Sequence, residues 1–127
     1  MEGYSTKVIE CSKEISAKER VKIKDMGDFI SLDDATANEG SIIIKPDYYA
    51  KIAVHNDKSD GDKDYEKYVV VDVDGNGYVT GSKSFLESFI NIFEEMTDAG
   101  ETDYEVKVFT KPSKNYKGKY FITCALV

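Results

Sequence analysis

A single amphipathic helix, set in a chain that otherwise alternates, limits the folds open to this sequence. The run SFLESFINIFEEM begins at Ser84 and places Phe85, Phe89 and Phe93 at i, i+4 and i+8. Leu86, Ile90 and Met96 widen that stripe, so one broad face of the helix is apolar. Ser84 and Glu87 stand at capping-box spacing and predict the helix start. The phenylalanines read as core contacts rather than ligand contacts. Such a face must be buried against a second layer, and the flanking sequence offers only strands to supply it.

The strand signals are strongest at Tyr65 to Asp72, where Val69, Val70 and Val71 are β-branched. The turn DGNG (Asp74 to Gly77) predicts a hairpin into Tyr78–Thr80. Tyr48 to His55 alternates, and Ile42 to Ile44 begins the same β region. Pro46 has no N–H to give a ladder, so it is predicted at an edge or a bend. Asp28 to Leu32 reads as a brief strand and DDATANEG as a polar loop ended by Gly40. Residues 1–10 read as weakly ordered, with a short extended piece around Val8 and Ile9. Ser16 and Glu19 also have capping-box spacing ahead of a helix, whereas Val21 and Ile23 alternate as in a strand. Both readings stay open there. Two further strands follow the Ser84 helix.

The order is thus three strands, a helix and two strands, in one domain spanning residues 1–127. At that length about two-thirds of the unfolded surface can be buried without staples. The expected class is mainly β with one helix, a five-stranded antiparallel barrel of the oligonucleotide/oligosaccharide-binding (OB) type. In that barrel the helix lies between strands three and four. A helix on an open antiparallel sheet would give the same order.

Charge is segregated along the chain. Overall, 24 Asp and Glu oppose 17 Lys and Arg. Residues 106–127 hold Lys107, Lys111, Lys114, Lys117 and Lys119 and no acid, so they carry +5 and residues 1–105 carry −12. Aromatic rings are interleaved with these lysines. On a strand, Lys107, Phe109 and Lys111 share the face opposite Val106 and Val108, and Phe121 shares a face with Lys119. Phe109 and Phe121 are expected to meet across a hairpin, with Asn115 and Tyr116 in its exposed loop. Cations that track phosphates beside rings that stack on bases are what single-stranded nucleic acid binding requires. A solvated hairpin with one basic face is the plainer reading.

Other chemistry finds little support. DVDGNG copies the first half of a calcium loop, but Lys83 stands where the bidentate glutamate belongs. The lone His55 has no second histidine or cysteine pair for zinc and no nucleophile to serve as a base. No metal, cofactor or enzymatic activity is expected. Cys11 and Cys124 read as reduced thiols, the latter in the core. No run approaches the roughly 18 apolar residues of a membrane span, and MEGYSTKVIEC lacks the pattern of a signal peptide. A cytoplasmic location follows as an expectation.

Three stretches carry a family resemblance: IECSKEISAKERVKIKD, YVTGSKSF and PSKNYKGKYFITC. They resemble small phage proteins of bacteria with Gram-positive walls. In that group the opening E-x-S-K-x-L/I-S-A-K-E-R and the ending P-S-K-N-Y-K-G-K-x-F-I/L-T-C recur. The resemblance covers most of the chain and implies an OB-type barrel that binds single-stranded DNA in phage replication or recombination. Replication or recombination proteins would be its partners, in the cytoplasm of the host. Lys114, Asn115, Tyr116, Lys117 and Phe121 fall in the matched ending. The chain ends in FITCALV rather than an acidic tail, so recruitment through such a tail is not expected. The competing reading is an acidic, DNA-mimicking inhibitor of a host nuclease or repair enzyme, motivated by the Asp57–Glu66 loop. Oligomeric state, base preference and the choice of DNA over RNA are left open by the residues.

Overall fold

The computed structural model describes residues 3–58, 61, 63–113 and 118–127. The elements in order are β1 (Tyr4–Cys11), α1 (Ala17–Asp25), β2 (Ile30–Ser31), α2 (Leu32–Glu39), β3 (Ser41–Ile44) and β4 (Pro46–Asn56). They continue with β5 (Asp64–Asp72), β6 (Gly77–Thr80), α3 (Lys83–Asp98), β7 (Val106–Pro112) and β8 (Tyr120–Leu126). The strands form two open sheets, β1-β4-β5-β6-β2 and β3-β7-β8. Among the described residues every pairing is antiparallel except β2 with β6.

One bend links the sheets. β3 and β4 are separated by Lys45 alone, and Pro46 opens β4 opposite Asp72 with the register shifting before Tyr48. A residue without an N–H sits here because the ladder changes partners at this point. The Lys45 carbonyl is taken by the Val73 amide at 3.0 Å.

The five-stranded sheet is buried on both faces, which explains the unbroken valine run in β5. Tyr49, Tyr68 and Val70 point into a core shared with Ile44, Val106, Val108, Ile122 and Cys124, closed by Phe85, Leu86 and Phe89 of α3. Each such side chain contributes about 1.5–3 kcal/mol on burial. Tyr49 meets Phe89 and Phe93 edge to face, at ring-centroid distances of 5.8 and 5.3 Å. On the other face, Tyr48, Ile52, Val54, Val69 and Val71 are covered by Ile23 of α1, with Phe29 and Met26 beside it. Burial pushes the Cys124 thiol up to about 12, so it stays protonated as a core group.

Several expectations need correction. Among the described residues the fold is mainly β but has three helices, and its sheets are open rather than closed into a five-stranded barrel. The long helix lies between the sixth and seventh strands, because β1, β2 and the split of β3 from β4 add to the count. DDATANEG is a helix: Ser31 caps it by accepting from the Asp34 amide at 3.3 Å. Asp33 and Asp34 suit the positive N-terminal end, Leu32 and Thr36 are buried, and Gly40 ends the helix at φ +81°. Only two inward side chains anchor it, too few to raise a periodic signal. Residues 4–11 form a full edge strand on β4. Ser16 caps α1, which resolves that segment as helix. The cap of α3 is Ser82, not Ser84. Among the described residues no helix is long and apolar enough to cross a membrane.

Candidate nucleic-acid interface

The register of β7 and β8 determines which side chains share a face. Lys111 lies opposite Phe121, Phe109 opposite Thr123 and Lys107 opposite Ala125. Directly opposed residues project to the same side, so Phe109 and Phe121 are diagonal neighbours on the lysine-bearing face. The other face of the hairpin, through Val106, Val108, Ile122 and Cys124, is the core. β3 widens the outer face, setting Ser41 opposite Phe109 and Ile43 opposite Lys107.

Phe109 is the centre of this surface. The Lys107 and Lys111 ammonium groups lie 5.9 and 5.7 Å from its ring centroid. Strand alternation carries one lysine to each side of the ring, and the ring's negative face attracts both. Phe109 is half-buried under these chains, while Phe121 is 37% exposed and Ile43 48% exposed. Lys107 and Lys111 are exposed. Lys119 is also exposed and precedes β8; its carbonyl accepts from the Ser113 amide at 2.8 Å, drawing the ends of the loop together. Lys114, Asn115, Tyr116 and Lys117 lie outside the described residues.

The basic face is narrower along β8 than alternation alone implies. Thr123 sits on the outer face yet is buried, because Ser88 of α3 meets its hydroxyl at 2.9 Å. Tyr120 and Leu126 share a face of β8 with Ile122 and Cys124 by alternation, yet they are 69% and 45% exposed. The core reaches only Ile122 and Cys124, where α3 crosses the strand, and both ends of β8 run past it. Ile43 escaped the sequence reading as a surface residue. The signal was present: in three consecutive isoleucines on a strand, the middle one must face away from its neighbours.

Two other constellations resolve as structure. Asp72 is the hub of the β5–β6 turn: Oδ1 accepts from the Asp74 and Asn76 amides at 2.9 and 2.8 Å, and Oδ2 from Asn76 Nδ2 at 3.2 Å. Its lone pairs serve the hairpin. His55 is no isolated ring, since Nδ1 meets Asp64 and Nε2 meets Asp57, each at 2.7 Å. Carboxylates at both nitrogens favour the protonated ring, which can donate to each. Its pKa is raised first by the hydrogen bond to Asp64 and next by that to Asp57. No group of three acidic, cysteine or histidine side chains converges as a metal site among the described residues.

Set against known proteins, the chain matches no family model, no curated protein and no solved structure.

Proposed function

We propose that this protein is a non-catalytic single-stranded DNA-binding module whose strand lies on the outward face of β3, β7 and β8. The observation that carries this reading is the Phe109 ring held between Lys107 and Lys111, with Phe121 beside Lys111 on the same face. Stacking of one base on such a ring is worth about 1–3 kcal/mol, and flanking ammonium groups neutralise the adjoining phosphates. Ile43 adds apolar surface for a second base edge. The chain order also supports an OB-type module. With β3 and β4 taken as one bent strand, the sequence β3/β4, β5, β6, α3, β7, β8 follows the OB order. On this reading β1, β2, α1 and α2 are additions around that unit. The resemblance to small phage proteins suggests a role in replication or recombination.

Fluorescence polarisation of labelled oligo-dT against labelled duplex at low salt tests the proposal. Single strands are expected to bind clearly more tightly, because net charge elsewhere on the chain repels the stiffer and more densely charged duplex. Log affinity should fall with log salt by about 0.7 for each phosphate that a lysine neutralises. Equal binding of both forms, or no binding of oligo-dT below about 50 mM salt, would overturn it. The acidic inhibitor would then lead, since residues 26–105 hold 19 acidic and 6 basic residues.

A further inference from the structure

The acidic body is not uniformly acidic. Residues 1–25 hold six basic and five acidic side chains, and four of the basic ones, Lys18, Arg20, Lys22 and Lys24, lie on α1. Arg20 is the only arginine in the chain. Ile23 is the residue of α1 buried against the five-stranded sheet. Taking Ile23 as the inward direction at 100° per residue, Val21 points almost straight out, which agrees with its 66% exposure. Arg20 and Lys24, four residues apart, then form a row on one flank, and Lys18 and Lys22 a row on the other.

The Arg20–Lys24 flank borders a groove of about 430 Å³ between α1 and β1, lined on the strand side by Val8, Ile9 and Cys11. Lys7 and Glu10 also line it. Glu10 is occupied, accepting from the Tyr49 hydroxyl at 3.3 Å and lying 3.6 Å from the Lys51 ammonium. Among the described residues, no carboxylate lies within ion-pair distance of Arg20 or Lys24. The bulge between Val8 and Glu10 turns Ile9 outward, to 47% exposure. Further along the same edge strand, Tyr4 is 41% exposed. Arg20, Lys24 and Lys7 thus border apolar side chains in one groove, with an exposed ring further along the same strand, and this partly repeats the chemistry of the β7–β8 face.

We infer that the groove between α1 and β1 is a second track for the phosphate backbone of single-stranded nucleic acid, with Arg20 and Lys24 as its phosphate ligands. This rests on the single-strand reading of the protein and extends it to a second surface. The Cβ atoms of Arg20 and Lys24 lie about 5–6 Å apart, on the order of the step between successive phosphates in a flexible strand. Arg20 can hold one phosphate with two parallel N–H bonds, whereas Lys24 acts as a point charge.

The test compares three double variants of the full chain with the native protein, titrating oligo-dT 10-mers and 40-mers at several salt concentrations. In Arg20→Gln/Lys24→Gln the salt slope for the 40-mer should flatten by about 1.4 units, because two phosphates are left without a cationic partner. Lys18→Gln/Lys22→Gln makes the same charge change on the opposite flank and should leave the slope within experimental error. Lys107→Gln/Lys111→Gln should weaken both oligonucleotides. Equal flattening by the two α1 variants would reduce the effect to net charge and overturn the inference. An unchanged slope in Arg20→Gln/Lys24→Gln, with the Lys107/Lys111 variant weakened, would overturn the groove while the sheet-face reading stands. The reverse pattern would overturn the sheet face and leave the groove as the site. A native protein that binds neither oligonucleotide would overturn both. All four positions on α1 are exposed or partly exposed, and unchanged melting temperatures would confirm that each variant is folded.

Discussion

Ser84, in the first turn of α3, donates its hydroxyl to the main-chain carbonyl of Ile122 at 3.0 Å. A helix side chain thereby occupies an acceptor on β8, which among the described residues is an edge strand paired with β7. Ser88 makes a second bridge one turn later, to the Thr123 hydroxyl. Unpaired strand edges invite pairing with other chains, and here the helix covers one. The same bonds hold the β7–β8 hairpin, and so its basic face, against the body.

Removing that hydroxyl gives the first prediction. Ser84→Ala should cost about 0.5–1.5 kcal/mol, the net value of one such hydrogen bond. Ser82→Ala removes the cap itself and should cost about 1 kcal/mol. Urea unfolding of both variants checks this. A neutral Ser84→Ala would mean that water replaces the serine and the edge is not held by it.

Phe89 is 1% exposed, stacks on Phe85 and Phe93 and meets Tyr49 edge to face. Phe89→Ala should destabilise by about 3–5 kcal/mol, combining lost transfer energy with a cavity between helix and sheets. Calorimetric melting would report it. A drop of less than a degree or so would place that face of α3 outside the core.

His55 makes stability depend on pH. Its pKa in the folded protein is raised by Asp64 and Asp57, from an ordinary value of about 6.5. The stabilisation from this clasp is fully present below that unfolded value and is lost as pH rises through the higher folded value. Melting temperature should therefore decline on the alkaline side of about pH 6.5, and His55→Gln should remove that part of the decline. Identical pH profiles for the two proteins would show that the paired carboxylates do not stabilise the ring.

On the sheet face, Phe109→Ala and Phe121→Ala should each weaken binding of oligo-dT by roughly five- to hundredfold. The two effects are expected to be less than additive, because both rings adjoin Lys111. Full binding by the double variant would remove stacking from the mechanism.

Local patterns made part of this legible in advance. The period of Phe85, Phe89 and Phe93 announced α3, and the valine run announced β5, because each pattern is written in neighbouring residues. Pro46 was readable as a bend since the missing N–H is a property of the residue itself. α2 was not readable: its stability comes from a serine cap and two buried side chains, Leu32 and Thr36, whose burial depends on strands distant in sequence. The cap of α3 was misread: Ser84 has Glu87 at capping-box spacing, but the path of the chain selects Ser82.

The candidate site divides in the same way. Alternation alone placed Lys107, Phe109 and Lys111 on one face, because side chains on a strand alternate regardless of what surrounds it. That Ile43 joins them, that α3 covers Thr123 and that Tyr120 escapes the core were decided by strand pairing and helix docking. The charge of α1 was visible in the residues but vanished in a total taken over residues 1–105. Electrostatic fields act over distances of about a Debye length in space rather than along the chain. Folding alone brings Arg20 and Lys24 to a groove on β1 where, among the described residues, no carboxylate lies within ion-pair distance of either.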